Sequence, residues 1–266
     1  MIPRVIHYCW FGKGSLSDLA LKCIISWRKY FPDYEIKEWN ESNYDVNIIK
    51  YTSEAYAAKK YAFVSDYARF DILYKHGGVY FDTDVEVIAS FEDLLQRGGF
   101  MGLEPVSGEN VFCNPGLGMA YAPGMRIACE IIELYKSMTF INIDGSYNYS
   151  TVVETVTSIL KKYGLKNENV IQAFEGFLVY PTDYFCPYSL KTASLQLTGN
   201  TLSIHHYVGS WLNDSDKKYK HFREKCIKKF GYRIGAPLAL GYILFQYLIN
   251  GEIKLLLEKI RKRINS

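Results

Sequence analysis

Apolar positions along the first third of the chain alternate between two periods. Residues 3–11 form a mostly apolar run, with Val5, Ile6, Tyr8 and Trp10, and predict a strand. Leu16, Leu19, Ala20, Cys23, Ile24, Trp27 and Phe31 recur at i, i+3 and i+4, which predicts an amphipathic helix ended by Pro32-Asp33. Tyr34 to Trp39 alternates like a strand, so strand, helix and strand follow one another at the spacing of a βαβ unit and a parallel sheet. A short helix is expected over Ser53–Tyr61.

The stretch Val64–Glu86, VSDYARFDILYKHGGVYFDTDVE, organises the rest. Val64, Tyr67, Ala68, Ile72 and Leu73 lie on or near one apolar helical face, and Asp66 and Arg69 sit one turn apart. His76-Gly77-Gly78 stops that helix, because glycine accepts left-handed dihedrals without strain. Val79, Tyr80 and Phe81 then read as a strand that ends in Asp82-Thr83-Asp84. Side chains alternate along a strand, so both aspartates are expected on one side, where they repel unless a cation or donor sits between them. Hard oxygen ligands suit Mg²⁺ or Mn²⁺, and such a site would grip a diphosphate.

Farther on, the pattern predicts a helical turn at Phe91–Leu95, a strand at Gly99–Leu103, and a long Gly/Asn/Pro loop from Val106 to Met119 of the kind that covers a site. Two amphipathic helices are expected at Met125–Met138 and Thr151–Tyr163, then short strands and turns over Val170–Tyr188. The body closes with SIHHYVGSW, Ser203–Trp211. His205 and His206 are adjacent, so they point different ways on a strand, and one at most joins a metal held by the aspartates. Gly209, Ser210 and Trp211 offer close backbone approach, a hydroxyl and an indole N–H, which suit phosphate oxygens. Trp10 ends the first strand, where open α/β sheets bind ligands, and could stack on a nucleobase.

The tail differs in charge. Residues 217–266 carry 13 Lys and Arg against 3 Asp and Glu, so the remainder of a chain of formal net charge +3 is acidic overall. This argues for a local contact of the tail and against a nucleic-acid-binding body. The expected division is a body over 1–212 and a basic amphipathic helical extension over 213–266. Lys217–Lys229 reads as a basic helix. Ala236–Ile249 is apolar but shorter than the roughly 20 residues that span a bilayer. Ile253, Leu256, Leu257, Ile260 and Ile264 share a face flanked by basic residues. Two readings stay open for this tail: an interfacial membrane contact, and a helical hairpin closing the domain's own core. The opening MIPRVIHYCWFG does not read as a signal peptide, and the six cysteines show neither CxxC pairs nor zinc spacing. They are expected as free, mostly buried thiols in a cytoplasmic protein, with peripheral contact at the inner membrane face if the tail binds lipid.

The 64–86 stretch resembles the signature of glycosyltransferase family 32, and IPRVIHYCWFG and IHHYVGSW resemble that family's other two landmarks, in the same order. The resemblance covers about residues 1–212. It implies a GT-A, Rossmann-like α/β fold with a mixed central sheet, and a metal-dependent, retaining transfer of a hexose or N-acetylhexosamine. The donor would be a nucleotide-diphosphate sugar, the ion Mn²⁺ or Mg²⁺, and the acceptor a growing surface glycan, or a lipid-linked glycan, such as capsular polysaccharide or lipopolysaccharide. Carried over, Trp10 is the base-stacking residue, Asp66 and Arg69 hold donor sugar and phosphate, and Asp82 contacts ribose, sugar and metal. Asp84 is the principal metal ligand, His206 the C-terminal one (His205 if the register shifts by one), Ser210 and Trp211 donors to the β-phosphate, and Asn114 an amide beside the transferred sugar. Where many relatives carry Gly-Pro before a helix on the acceptor side, this chain has Tyr149-Ser150-Thr151. The alternative is a haloacid-dehalogenase-type phosphohydrolase with Asp82 as nucleophile, since VYFDTDVEV also fits that motif. Against it, two elements precede the motif and no later Gly-Asp acid pair follows.

Overall fold

The computed structural model describes residues 1–105, 110–209, 212 and 214–249. The chain divides into two units: Met1–Tyr188 with Gln196–Trp211, and Ser189–Leu195 with the residues from Leu212 onward.

The first unit opens with β1 (Val5–Cys9), α1 (Asp18–Tyr30) and β2 (Glu35–Trp39), and β1 pairs with β2 in parallel, as a βαβ crossover requires. Ser17 caps α1 by accepting the Ala20 N–H at 3.2 Å. Then come α2 (Lys50–Ala57), α3 (Tyr61–His76), β3 (Gly78–Tyr80), β4 (Val85–Val87), α4 (Glu92–Gln96) and β5 (Gly99–Pro105). Gly77 ends α3 at φ 62° and Gly78 follows at φ 102°, so the Gly-Gly stop works as expected.

The expected long loop over Val106–Met119 is not one loop. Its later part folds into β6 (Val111–Asn114), a 3₁₀ turn over Pro115–Leu117, and β7 (Met119–Tyr121); residues 106–109 lie outside the described residues. Its Gly/Asn/Pro content suggested irregular structure, but β6 and β7 both hydrogen-bond to β5, and long-range pairing overrides local propensity. The remaining elements are α5 (Arg126–Ser137), α6 (Val152–Lys162), β8 (Gln172–Phe174), β9 (Phe177–Tyr180), α7 (Thr182–Phe185), β10 (Tyr188–Ser189), β11 (Ser194–Leu195) and β12 (Ser203–His205). Thr151 begins α6 with a capping box: its hydroxyl accepts the Glu154 N–H and Glu154 accepts the Thr151 N–H at 2.8 Å.

The central sheet runs β2-β1-β3-β7-β5-β9-β8, with β6 on β5. It is mixed: β2-β1, β1-β3 and β5-β9 are parallel, and β3-β7, β5-β7, β5-β6 and β8-β9 antiparallel. Successive side chains along its strands feed two cores on opposite faces. Ile6, Tyr8, Val79 and Phe81 pack with Trp27 and Phe31 of the α1 side, while Tyr80, Met101 and Leu103 join Tyr67, Ile131 and Val156 of the α3, α5 and α6 side. This is the α/β fold with a mixed central sheet that the family resemblance implies. Apart from the sheet, β4 and β12 form an antiparallel ribbon in which His205 lies opposite Val85.

In the second unit, α8 (Asp214–Phe230) and α9 (Tyr232–Ile249) are joined through Gly231. No helix among the described residues is long and apolar enough to cross a membrane. The amphipathic stretch 252–264 lies outside the described residues.

Candidate active site

The expected strand stops at Tyr80, so Asp82-Thr83-Asp84 forms a turn rather than a strand end, closed by the Val85 N–H donating to the Asp82 carbonyl at 3.0 Å. Strand alternation therefore does not orient the two aspartates. They converge because the chain reverses between β3 and β4 at the end of the sheet.

Arg69 is the hub on one side. It points from α3, one turn after Asp66, and its Nη2 lies 3.0 Å from Asp66 Oδ1 and 3.1 Å from Asp82 Oδ1. Its Nε donates to the Ser65 carbonyl at 3.1 Å, and the side chain is 4% exposed. Burial opposes its charge, but Asp82, Tyr80 and Asp66 together keep it firmly protonated. Burial pushes Asp66 up to about 7 even beside Arg69, and it raises Asp82 as well. Tyr80 Oη donates to Asp82 Oδ1 at 3.1 Å and fixes the carboxylate from the strand side.

His205 is the partner on the other side. Its Nε2 lies 3.1 Å from Asp84 Oδ1, and the Val208 N–H donates to Asp84 Oδ2 at 2.9 Å. These contacts outweigh burial and hold Asp84 at about 2, while Asp84, Asp82 and Glu104 raise His205 above its ordinary value. Ligand atoms of Asp82, Asp84 and His205 all lie within 4.8 Å of one another. Two hard carboxylate oxygens and one imidazole nitrogen form a donor set that fits Mn²⁺ or Mg²⁺.

His206, expected among the ligands, faces elsewhere, and His205, the alternative at a shift of one residue, stands beside Asp84. Its Nε2 lies 2.8 Å from Glu86 Oε2, which Lys22 also contacts at 2.8 Å. The reason is register. His205 pairs with Val85 on the β4–β12 ribbon, and a shift of one residue turns each side chain to the opposite face.

The other expected residues fall as follows. Trp10 leaves the end of β1 half-buried, with its backbone N–H on the Trp39 carbonyl at 2.9 Å and its indole N–H on the Gly14 carbonyl at 2.7 Å. Asn114 is buried: its Oδ1 accepts the Gly116 N–H at 2.7 Å and its Nδ2 donates to Glu104 Oε2 at 2.7 Å. Ser210 and Trp211 lie outside the described residues.

Three contributors escaped the sequence reading. Glu104, at the end of β5, accepts from both Asn114 and Tyr207 Oη, the latter at 3.0 Å. Tyr207 follows the histidines at φ 50° and sets its ring edge-on to His205 with centroids 4.1 Å apart. Gly116 packs its backbone against Asp82, whose Oδ2 occupies the space a Cβ would need. The Asn-Pro-Gly run at 114–116 was the available signal, since glycine marks close backbone approach; nothing local announces Glu104.

Residues 17–100 match the family described as "Glycosyltransferase sugar-binding region containing DXD motif". A protein of Acanthamoeba polyphaga mimivirus, described as an uncharacterized glycosyltransferase, is 27% identical over 205 residues, which cover 71% of this chain and 78% of that protein. Among solved structures, PaToxG glycosyltransferase aligns with a TM-score of 0.45 and 16% identity, over 61% of this chain and 70% of that one. A glycosyltransferase involved in the glycosylation of the major capsid of PBCV-1 aligns with a TM-score of 0.41 and 12% identity, over 79% of this chain and 95% of that one.

Proposed function

We propose that this chain, whose residues 17–100 match the glycosyltransferase sugar-binding region containing the DXD motif, moves a hexose or N-acetylhexosamine from a nucleotide-diphosphate sugar to a growing surface glycan, with retention of configuration. That match favours transfer over the phosphohydrolase reading of Asp82. The observation that carries the proposal is Arg69 bridging Asp66 and Asp82 next to the Asp84–His205 pair.

Asp82, Asp84 and His205 would hold Mn²⁺ or Mg²⁺, which when bound supplies positive charge against the leaving diphosphate. The chain's own groups do the rest. Trp10 stacks on the base, and Asp66 takes a sugar hydroxyl. Arg69, buried and pre-oriented by two carboxylates, presents its guanidinium to the phosphate without reorganising, which is the condition under which electrostatic stabilisation is strongest. Ser210 and Trp211 add donors to the β-phosphate. Asn114, held by Glu104 and Gly116, presents its amide to the transferred sugar. The acceptor oxygen bonds to the anomeric carbon on the face from which the nucleotide leaves. As the bond from that carbon to the phosphate oxygen breaks, the hydroxyl proton passes to the departing phosphate, so configuration is retained without a covalent glycosyl-enzyme.

The test is a panel of nucleotide-diphosphate sugars with Mn²⁺ and with chelator, read as nucleoside diphosphate release and as thermal shift. One donor class should stabilise the fold only with metal, and Asp84→Ala should abolish both responses while leaving the metal-free melting profile cooperative. Undiminished turnover in Asp84→Ala, or release that ignores chelator, refutes the reading.

A further inference from the structure

The α8–α9 hairpin buries only half of an apolar helix. Gly235 meets α8 so closely that a Cβ there would collide with the backbone at Cys226 and Ile227, and farther along the Phe222 and Tyr242 rings meet at a tilt of 39° with centroids 4.4 Å apart. The helices therefore run antiparallel, and α9 turns Gly235, Ala239 and Tyr247 inward. Its opposite side presents Ile234, Leu238, Phe245 and Ile249, which are 58%, 50%, 57% and 62% exposed. At the helical spacing these four fall on one stripe roughly 22 Å long. An apolar strip of this length that the described residues leave exposed marks a contact.

Charge identifies what covers it. α8 exposes Lys217, Lys218, Lys225, Lys228 and Lys229, and α9 begins with the exposed Arg233. Residues 250–266 add five Lys and Arg against two Glu in sequence. A second copy docking through α9 would bring a second cationic α8 to the same junction, and like charges oppose that. Anionic lipid headgroups match both features together: the cations meet phosphates and the stripe enters the boundary between headgroups and acyl chains. With no described helix able to span a bilayer, the contact lies in the plane of the interface. We propose that the α8–α9 hairpin is a docking surface for an anionic membrane, with the outer stripe of α9 as its apolar footprint. This inference stands on the hairpin alone and does not depend on the transferase reading.

The full chain would be sedimented with vesicles of phosphatidylcholine and with vesicles of phosphatidylcholine mixed with phosphatidylglycerol. It should pellet with the mixed vesicles and much less with phosphatidylcholine. The triple variant Lys225→Gln, Lys228→Gln, Lys229→Gln should bind about a hundredfold more weakly, at about fivefold per lysine. The double variant Leu238→Ser, Phe245→Ser should lose about tenfold or more, because two large side chains no longer leave water. All these side chains point outward, so circular dichroism and melting should match the wild type and certify the fold. The proposal is overturned if the wild type ignores mixed vesicles, or if either folded variant binds them as well as the wild type. It is also overturned if the wild type is a dimer in solution that Leu238→Ser, Phe245→Ser converts to monomer.

Discussion

Gly116→Ala isolates how tightly Asp82 is held. The φ of Gly116 lies outside the left-handed region, so alanine is acceptable to the backbone and restricts the unfolded chain, a gain of about 0.4–1 kcal/mol. Its Cβ, however, would overlap Asp82 Oδ2 outright and press on Asp82 Cγ at 3.1 Å and Asn114 Oδ1 at 3.0 Å. The carboxylate must rotate, which breaks its contacts with Arg69 and Tyr80, both 3.1 Å. A hydrogen bond to a charged group contributes about 1.5–3 kcal/mol. Arg69 keeps Asp66 at 3.0 Å, so the buried guanidinium is not left unpaired. The net cost to stability is then about 1–2 kcal/mol, a drop of roughly 3–6 °C in Tm for a chain of this size. The effect on turnover should be far larger, about a hundredfold, because a displacement near 1 Å at a reacting centre costs about that much. The assays are differential scanning fluorimetry and nucleoside diphosphate release, on Gly116→Ala alone and in an Asp82→Ala background. With Asp82 truncated the collision partner is gone, and the alanine should be neutral or mildly stabilising. Turnover of Gly116→Ala within about threefold of wild type, or equal destabilisation in both backgrounds, refutes the argument.

Two further outcomes follow from the same geometry. Calorimetric titration with Mn²⁺ should show His205→Ala weakened about a hundredfold or more and His206→Ala changed by less than about threefold; the reverse order would return the ligand role to His206. The Asp84–His205 pair should also shape the pH dependence of stability in metal-free protein. Asp84 is held at about 2, so its contribution is complete above the ordinary carboxylate value of 3.8 and is lost as pH falls toward 2. The gap amounts to about 2 kcal/mol. His205 is raised above 6.5, so its contribution is complete below that value and lost as pH rises through the raised one. The Tm difference between wild type and Asp84→Asn should therefore be widest between about pH 4 and 6.5 and narrow on both sides. A difference independent of pH refutes the pairing.

Much of the fold was open to local reading because its determinants are local. The periodicity of α1, α3, α5 and α6, the glycine stop at Gly77 and the helical spacing of Asp66 and Arg69 each depend on residues within a turn or two. So does the presence of two aspartates just past a buried strand. What the tertiary structure alone decided depends on residues far apart in the chain. The register of β12 on β4 placed His205 and not His206 beside Asp84, because a strand's side chains alternate with period two and one residue of slip inverts them. Pairing with β5 turned part of an expected loop into β6 and β7, and it brought Glu104 and Gly116 to the site. The outer stripe of α9 has the same origin: sequence marks the helix as apolar all round, and only its packing on α8 determines which half water still sees.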